Sequence, residues 1–359
     1  NAAAVHPVAY ARTTDELAQL IRTLPHHHRL VVFYDANLPT EPIKTLSALL
    51  SAHVPQCFFY PQVAGESCKD LSAAVACWTF LQEKQIGRKD TIMAIGGGTL
   101  LDLIGFVASV YHRGIDFISV PTSLLAQVDA AIGGKNALNF SGVKNMLGTV
   151  TYPTSVWIHT PFVATQSDEH YQEGLVELLK IALVRSPSLT TWLEQVWPDL
   201  VARKQPQLNE AVKAAIELKL TVVANDSKKT RLRDCLNFGH TFAHALEAYY
   251  GPSLSHGTAV ALGLRWILRV SQAELGLDKS IIAMVNHWLN QLTGLITPAT
   301  APEWAQLLGR IQQDKKKSSP EQIRLILLQG LGEWRAQDVS PEKTLALLEH
   351  YGPQLWKKQ

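Results

Sequence analysis

The sequence predicts an α/β protein in which an N-terminal, Rossmann-like, doubly wound parallel sheet domain is followed by a mostly α-helical domain. Three observations lead to this fold class. Short apolar runs alternate with helical segments at first, helical periodicity prevails from about residue 160, and 359 residues suit two domains. We therefore expect an α/β domain at residues 1–160 and a helical domain at residues 161–359.

The strands are predicted from runs of β-branched and aromatic residues that end at turn residues. In the first domain these runs are residues 30–34, 57–60, 91–95 and 117–120, with a helix at residues 71–82. Strands separated by helices of this length pair in parallel, and helices then cover both faces of the sheet. In the second domain, helices are predicted at residues 174–184, 208–224, 236–250 and 257–275, and a strand at residues 323–328.

Composition excludes several classes of function. The chain is 47% hydrophobic and 18% charged, with a net charge of +2, so it is neither disordered nor built to bind nucleic acid or a membrane surface. Arg265 and Arg269 interrupt the long apolar stretch that begins at Ala259, which excludes a bilayer span there. Because there is no signal-peptide pattern and no CxxC cysteine pair, we expect a cytoplasmic protein with reduced thiols.

A glycine-rich turn follows the third predicted strand. Gly96, Gly97 and Gly98 precede a helical segment that carries Asp102. Glycines at such a turn let backbone N–H groups approach a phosphate, and the helix N-terminus favours negative charge. The alternative is a tight turn without a ligand, since the G-x-G-x-x-G pattern is absent.

A second cluster lies between residues 129 and 145. Asp129, Lys135, Lys144 and Asn145 stand among glycines, with too few regular apolar positions for a long helix. Two lysines beside glycine-rich backbone suit a substrate with phosphate or carboxylate groups. Solvated surface lysines are the alternative.

A third cluster combines several polar side chains at helical spacing. Arg233, Asn237, His240 and His244 would share one stripe of a helix, and His256 would begin the next helix. Such a stripe indicates a polar site.

An earlier, otherwise apolar helix carries Glu177 and Lys180, which need partners when they are buried. One carboxylate and two imidazoles suit a divalent metal, zinc best of all. Histidines that are merely hydrogen-bonded within the core are the alternative.

Together these motifs resemble the dehydroquinate synthase family of sugar phosphate cyclases, in the same order along about residues 35–328. The matching segments are residues 65–69, 96–102, 111–114, 121–129, 133–135, 144–146, 177–180, 236–244, 256–257 and 314–316. The resemblance implies that a sugar phosphate, 3-deoxy-D-arabino-heptulosonate 7-phosphate, is converted into 3-dehydroquinate and phosphate. It also implies an NAD-binding first domain and a second domain that binds metal and substrate.

The resemblance assigns roles residue by residue. Zinc, with Co²⁺ as an alternative, would be bound by Glu177, His240 and His256. NAD would be bound by Asp35, Asn37, Glu66, Lys69, Gly97, Gly98, Asp102, Thr122 and Ser123. Catalytic roles would fall to Lys180, His244, Asn237, Arg233 and Lys219, and substrate binding to Asp129, Lys135, Lys144, Asn145, Arg113, Lys315 and Lys316. Arg113 matches an arginine that serves the neighbouring subunit, so a homodimer is expected.

The chain departs from the family pattern at several positions. Asn136 replaces the usual threonine after Lys135, Thr258 replaces a glutamate, and Asn225 stands in place of an acidic residue. The segment 162–173 also lacks the usual Thr-Leu-Pro turn. Three alternatives therefore stay open: another sugar phosphate cyclase, a metal-dependent alcohol or glycerol dehydrogenase of the same architecture, and a catalytically silent homologue.

Overall fold

The computed structural model describes residues 6–63, 65–226, 230–315 and 322–356, and its chain forms two units. The first unit comprises Asn1–Gln166 and Leu208–Leu220, and the second comprises Ser167–Gln207 and Thr221–Gln359. Residues 208–220 were predicted in the second domain, whereas they pack with the first unit. Within the described residues, no helix is both long enough and apolar enough to cross a bilayer.

The first unit is built on a six-stranded parallel sheet with the strand order β1-β8-β5-β4-β2-β3. Its strands are β1 (Val8–Tyr10), β2 (Leu30–Asp35), β3 (Cys57–Gln62), β4 (Thr91–Gly96), β5 (Asp116–Pro121) and β8 (Ser155–Ile158). An antiparallel hairpin is formed by β6 (Lys135–Phe140) and β7 (Val143–Val150). The helices are α1 (Thr14–Ile21), α2 (Thr40–His53), α3 (Leu71–Glu83) and α4 (Gly98–Val110). All four predicted strands and the predicted helix are present.

The central strands are mostly apolar because both faces of the sheet are covered. Val31, Val32 and Phe33 of β2 are completely buried, and so are Ile92 and Met93 of β4. From β2 the chain turns outward to β3, whereas from β4 it proceeds in the opposite direction to β5. The carboxyl ends of β2 and β4 therefore flank the topological switch point, which is where open α/β sheets bind ligands.

The second unit is mostly helical. It contains α5 (Asp168–Arg185), α6 (Pro187–Val201), part of α7 (Gln205–Ala224), α8 (His240–Tyr250), α9 (His256–Leu275), α10 (Lys279–Asn290), α11 (Trp304–Lys315) and α12 (Pro341–Tyr351). The strands β9 (Ile323–Gly330) and β10 (Glu333–Val339) form an antiparallel pair. The predicted strand at residues 323–328 is part of β9.

The predicted helix at 236–250 begins too early. A 3₁₀ turn at Leu232–Asn237 precedes α8, and Gly239 adopts φ +75, a left-handed conformation that ends the turn before the helix starts at His240. Gly239 also lies against α9, where a Cβ added to Gly263 would stand 2.2 Å from the Gly239 carbonyl oxygen. The close approach of these two backbones fixes the start of α8.

We expect Gly263→Ala to destabilise the protein by about 1–3 kcal/mol, because the added methyl group would push α9 away from Gly239. Gly309→Ala is the matched control, since Gly309 lies in α11 where an added Cβ would meet open space, and alanine in a helix interior stabilises by about 0.4–1 kcal/mol. Urea unfolding followed by tryptophan fluorescence measures both. Equal midpoints for the two variants would contradict the close packing of α9 on Gly239.

Candidate functional site

A carboxylate and two imidazoles meet inside the second unit. Glu177 lies in the middle of α5 with only 2% of its side chain exposed, while His240 and His256 are the first residues of α8 and α9. Glu177 Oε1 is 3.3 Å from His240 Nε2 and 3.4 Å from His256 Nε2. The candidate ligand atoms all lie within 4.8 Å of one another. The structure thus brings together the three residues predicted to bind metal.

The outer nitrogens of both imidazoles have acceptors that orient the rings. His240 Nδ1 is 3.1 Å from the carbonyl oxygen of Phe238, which can only accept, so Nδ1 donates and Nε2 keeps its lone pair toward Glu177. His256 Nδ1 lies 3.3 Å from a carboxylate oxygen of Glu247. Metal-binding histidines are held in this way, with the second nitrogen donating to a carbonyl or carboxylate.

The protonation of the cluster is governed by burial and by its charges. Burial lowers the pKa of His240, and the Lys180 ammonium lowers it further. Burial also opposes the charged form of His256, but the contacts with Glu177 and Glu247 raise its pKa to about 10. A divalent cation bound at His256 Nε2 would therefore compete with a proton for that nitrogen.

Glu177 has the properties of a ligand rather than of a satisfied core residue. Burial raises its pKa, yet Lys180 and His240 hold that pKa well below its usual range, so the carboxylate is charged. Lys180 Nζ contacts Oε2, but neither carboxylate oxygen accepts a hydrogen bond of regular geometry within the described residues. A buried anion with unsatisfied oxygens beside two imidazole nitrogens fits a divalent metal such as zinc, with coordination positions left for substrate.

The predicted four-residue helical stripe is wrong. Only His240 and His244 share α8, with ring centroids 5.3 Å apart, whereas Arg233 and Asn237 lie in the preceding 3₁₀ turn. The reason is the left-handed Gly239, which separates turn from helix. Arg233 is half-buried with Nε 3.5 Å from Asp226, and Asn237 and His244 are exposed.

In the first unit, six of the residues predicted to bind NAD lie at the carboxyl edge of the sheet. Asp35 ends β2, the glycines of residues 96–98 join β4 to α4, and Thr122 and Ser123 follow β5. The Thr122 N–H donates to the Gly96 carbonyl oxygen at 2.9 Å, and the Asn37 N–H donates to Asp35 Oδ1 at 2.9 Å. This is the switch point of the sheet, with the α4 N-terminus available for an anion.

The remaining NAD candidates form a network around Lys69. This lysine is only 4% exposed, and its Nζ donates to Asp102 Oδ2 at 2.7 Å and to Asn145 Oδ1 at 2.6 Å. Burial raises the pKa of Asp102, and the Lys69 ammonium acts in the opposite direction. Glu66 begins the short 3₁₀ turn that leads to Lys69. The network joins a predicted cofactor segment to Asn145, a predicted substrate residue.

The predicted substrate cations lie in two settings within the first unit. Lys219, which was predicted in the second domain, lies on the part of α7 that packs with the first unit, and it donates to Asp129 Oδ1 at 2.6 Å. Lys135 and Lys144 are exposed on the β6–β7 hairpin. Their exposure leaves them accessible to an anionic ligand.

Three further candidates complete the predicted set. Arg113 is exposed in the 3₁₀ turn that follows α4, with φ +65. Lys315 is the last residue of α11, but its side chain and the whole of Lys316 lie outside the described residues.

The departures from the family pattern have local structural roles. Asn136 is buried, and its Nδ2 donates to the carbonyl oxygen of Thr151 at 3.1 Å. Thr258 packs at the first turn of α9, where its N–H donates to Ser255 Oγ, and Asn225 donates to the Thr221 carbonyl oxygen at the end of α7. None of the three replaces a predicted metal ligand.

Sequence reasoning missed two carboxylates beside the metal cluster. Glu247 orients His256, and its spacing of seven residues from His240 on α8 was an available signal. Glu173, one turn before Glu177 on α5, is buried and accepts a hydrogen bond from the Gly257 N–H at 3.2 Å. Burial raises the pKa of Glu173. Both residues fix the position of the α9 N-terminus, where His256 lies.

Comparisons with known proteins agree with the geometry. A family model described as 3-dehydroquinate synthase N-terminal matches residues 60–173, and one described as 3-dehydroquinate synthase C-terminal matches residues 174–317. A curated 3-dehydroquinate synthase of Shouchella clausii is 34% identical over 337 residues, which are 93% of this chain and 92% of that protein.

Two solved structures share the fold. A 2-deoxy-scyllo-inosose synthase complexed with carbaglucose-6-phosphate, NAD⁺ and Co²⁺ has a TM-score of 0.85 at 22% identity, over 96% of both chains. A 2-epi-5-epi-valiolone synthase from Streptomyces hygroscopicus subsp. jinggangensis, with NAD⁺ and Zn²⁺ bound, has a TM-score of 0.83 at 24% identity, over 97% of both chains. These likenesses show that the chain shares the α/β two-domain fold of these two synthases.

We expect His256→Ala to lose bound zinc while the fold is retained, because a site that loses one of its three protein ligands binds metal far more weakly. Glu247→Gln should weaken zinc binding by about 10–100-fold, since it removes only the carboxylate that orients the ring. Zinc content after dialysis and zinc titration against a chelating dye measure both effects. The exposed His287 on α10 supplies the control, His287→Ala. Stoichiometric zinc in His256→Ala would refute the ligand assignment.

Proposed function

The chain belongs to the 3-dehydroquinate synthase family and is an enzyme of the shikimate pathway, and from this premise we propose how it uses its residues. It converts 3-deoxy-D-arabino-heptulosonate 7-phosphate into 3-dehydroquinate and phosphate, with NAD and zinc as cofactors. The buried cluster of Glu177, His240 and His256 is the observation that carries this proposal, since its donor set suits a divalent metal.

The cofactors supply chemistry that side chains lack. When bound, NAD would accept and return a hydride, and the metal would polarise the substrate oxygens that it contacts. The glycine turn and the α4 N-terminus would hold the pyrophosphate, while Asp35 accepts hydrogen bonds from ribose hydroxyls. Glu66 and the Lys69–Asp102 pair would also hold NAD. Cobalt is the alternative metal.

Polar residues would bind and orient the substrate. Lys135, Lys144 and Asn145 on the hairpin of the first unit provide exposed cations and an amide for anionic groups. Lys219 holds the carboxylate of Asp129 in place for hydroxyl groups.

In the second unit, Arg233 and Asn237 would contact substrate oxygens, while His244 and Lys180 hold or move the protons of the C4 and C5 hydroxyls. One of Lys315 and Lys316 would add a cation to this set.

The decisive test is phosphate release from the heptulosonate phosphate by the protein supplemented with NAD and zinc. We expect phosphate and 3-dehydroquinate in equal amounts with no net NADH, because the hydride is returned within each turnover. Net NADH without phosphate would favour the metal-dependent alcohol dehydrogenase instead. Turnover of a different sugar phosphate would indicate another cyclase, and bound zinc with no activity on any sugar phosphate would indicate a catalytically silent homologue.

We also propose that the enzyme is a cytoplasmic homodimer. Its cysteines Cys57, Cys68, Cys77 and Cys235 are all free thiols. Arg113 lies beyond the C-terminal end of α4, and the glycine turn lies at the other end of that helix. Because α4 has 13 residues, it separates the two by about 20 Å. Apolar side chains are exposed on α4 and on the hairpin packed against it: Val110 is 46% exposed, and Val143 and Val150 are exposed as well. Such a surface favours association with a second copy.

Subunit mixing tests the role of Arg113. If Arg113 serves the neighbouring active site, a heterodimer of Arg113→Ala and Lys135→Ala chains contains one site with both defects and one site with neither. Because half of the dimers in an equal mixture are heterodimers, activity should recover to about one quarter of wild type. The recovered activity is measured as the rate of phosphate release before and after subunit exchange. No recovery despite proven exchange would show that Arg113 acts within its own subunit.

A further inference from the structure

Asn139 belongs to neither predicted ligand set, yet it lies between them. It is the penultimate residue of β6, and its backbone N–H donates to the carbonyl oxygen of Lys69 at 2.8 Å. Its side chain contacts Glu66 on one side and Asn145 on the other. Glu66 and Asn145 are about eighty positions apart in the sequence. Glu66 and Lys69 are assigned to the dinucleotide, whereas Asn145 is assigned to the substrate.

Both ends of the Asn139 amide are used. Nδ2 donates to the backbone carbonyl oxygen of Glu66 at 2.9 Å and to its carboxylate Oε1 at 2.9 Å. Oδ1 accepts the backbone N–H of Asn145 at 2.9 Å. Since two acceptors face one end and a donor faces the other, only an amide in this orientation satisfies all three groups.

Lys69 also contacts Asn145, which completes the hydrogen-bond network. Its Nζ donates to Asn145 Oδ1, so the backbone and the side chain of Asn145 are each fixed by a residue of the same network. Asn145 has φ +54, a left-handed conformation that an asparagine adopts only at a cost. The two contacts hold this residue, and with it the neighbouring Lys144, in a conformation that depends on where Glu66 and Lys69 lie.

We propose that Asn139 is a positioning residue that couples the dinucleotide segment at Glu66–Lys69 to the substrate turn at Lys144–Asn145, which rests on the proposed function. A ligand that fixes either segment then fixes the other through the amide. By linkage, NAD and the sugar phosphate each strengthen the binding of the other by the same factor.

The coupling is measured by titrating the full-length, zinc-loaded protein with NAD by calorimetry, alone and with the 7-phosphonate analogue of the heptulosonate, which cannot release phosphate. In the wild type we expect the analogue to lower the NAD dissociation constant by about 5–150-fold. Asn139→Asp keeps the acceptor for Asn145 but sets a carboxylate against Glu66. We expect the coupling factor to fall by about 2–30-fold in this variant.

Asn209→Asp is the matched control, because Asn209 is also a half-buried asparagine of the first unit whose Oδ1 accepts a hydrogen bond, there from Thr160. Its coupling factor should equal that of the wild type. Should Asn139→Asp fail to fold, Asn139→Ser, which is uncharged and shorter, takes its place. The coupling factor is the ratio of the NAD dissociation constants measured without and with the phosphonate. A merely structural role of Asn139 would lower the melting temperature, or weaken the binding of both ligands, without changing this factor. An unchanged coupling factor in the Asn139 variant overturns the proposal.

The outcomes separate this proposal from the function on which it rests. If wild-type protein binds neither NAD nor the phosphonate, the proposed function fails and the coupling fails with it. The other case is that the wild type binds both ligands and releases phosphate from the natural substrate. If the wild type then shows no coupling, or if Asn139→Asp shows the same coupling as the wild type, only the role of Asn139 is refuted.

Discussion

The charge of Glu177 is the constraint on which the second unit depends. A carboxylate this deeply buried in apolar α5 loses its hydration, and its charge persists only where positive groups replace the water. Lys180 supplies such a group from the same helix, and the ring nitrogens of His240 and His256 approach the carboxylate from α8 and α9. The three helices must therefore meet at one point, which makes the candidate metal centre part of the packing as well as of the chemistry.

The histidines are placed by the starts of their helices rather than by helical periodicity. His240 follows Gly239, whose backbone lies against Gly263, and His256 follows the N-cap Ser255. A helix N-terminus disfavours a protonated imidazole, so this location suits a histidine that binds a metal through a neutral ring. The carboxylates of Glu247 and Glu173 then secure the ring of His256 and the backbone that follows it.

Much of this could be predicted from the sequence, and the failures have a common cause. The buried strands and α3 were predictable because apolar residues at these positions indicate burial. The residue types of Glu177, His240 and His256 likewise indicated a candidate metal cluster, and the structure brings these three residues together. The break at Gly239 was not, since its positive φ is set by a contact with Gly263, 24 positions later. The β6–β7 hairpin and the bonds of Asn139 depend in the same way on partners that are distant in sequence.

The departures from the family pattern show which positions a divergent chain can change. Asn136, Thr258 and Asn225 each make hydrogen bonds to nearby backbone or cap groups, so another side chain can fill these positions if the local backbone remains satisfied. Glu177 has no such freedom, because its replacement by an uncharged residue would leave Lys180 buried without its anion. The electrostatics of a buried metal site would therefore permit substitutions at positions with local hydrogen bonds, provided that the charged cluster stays intact.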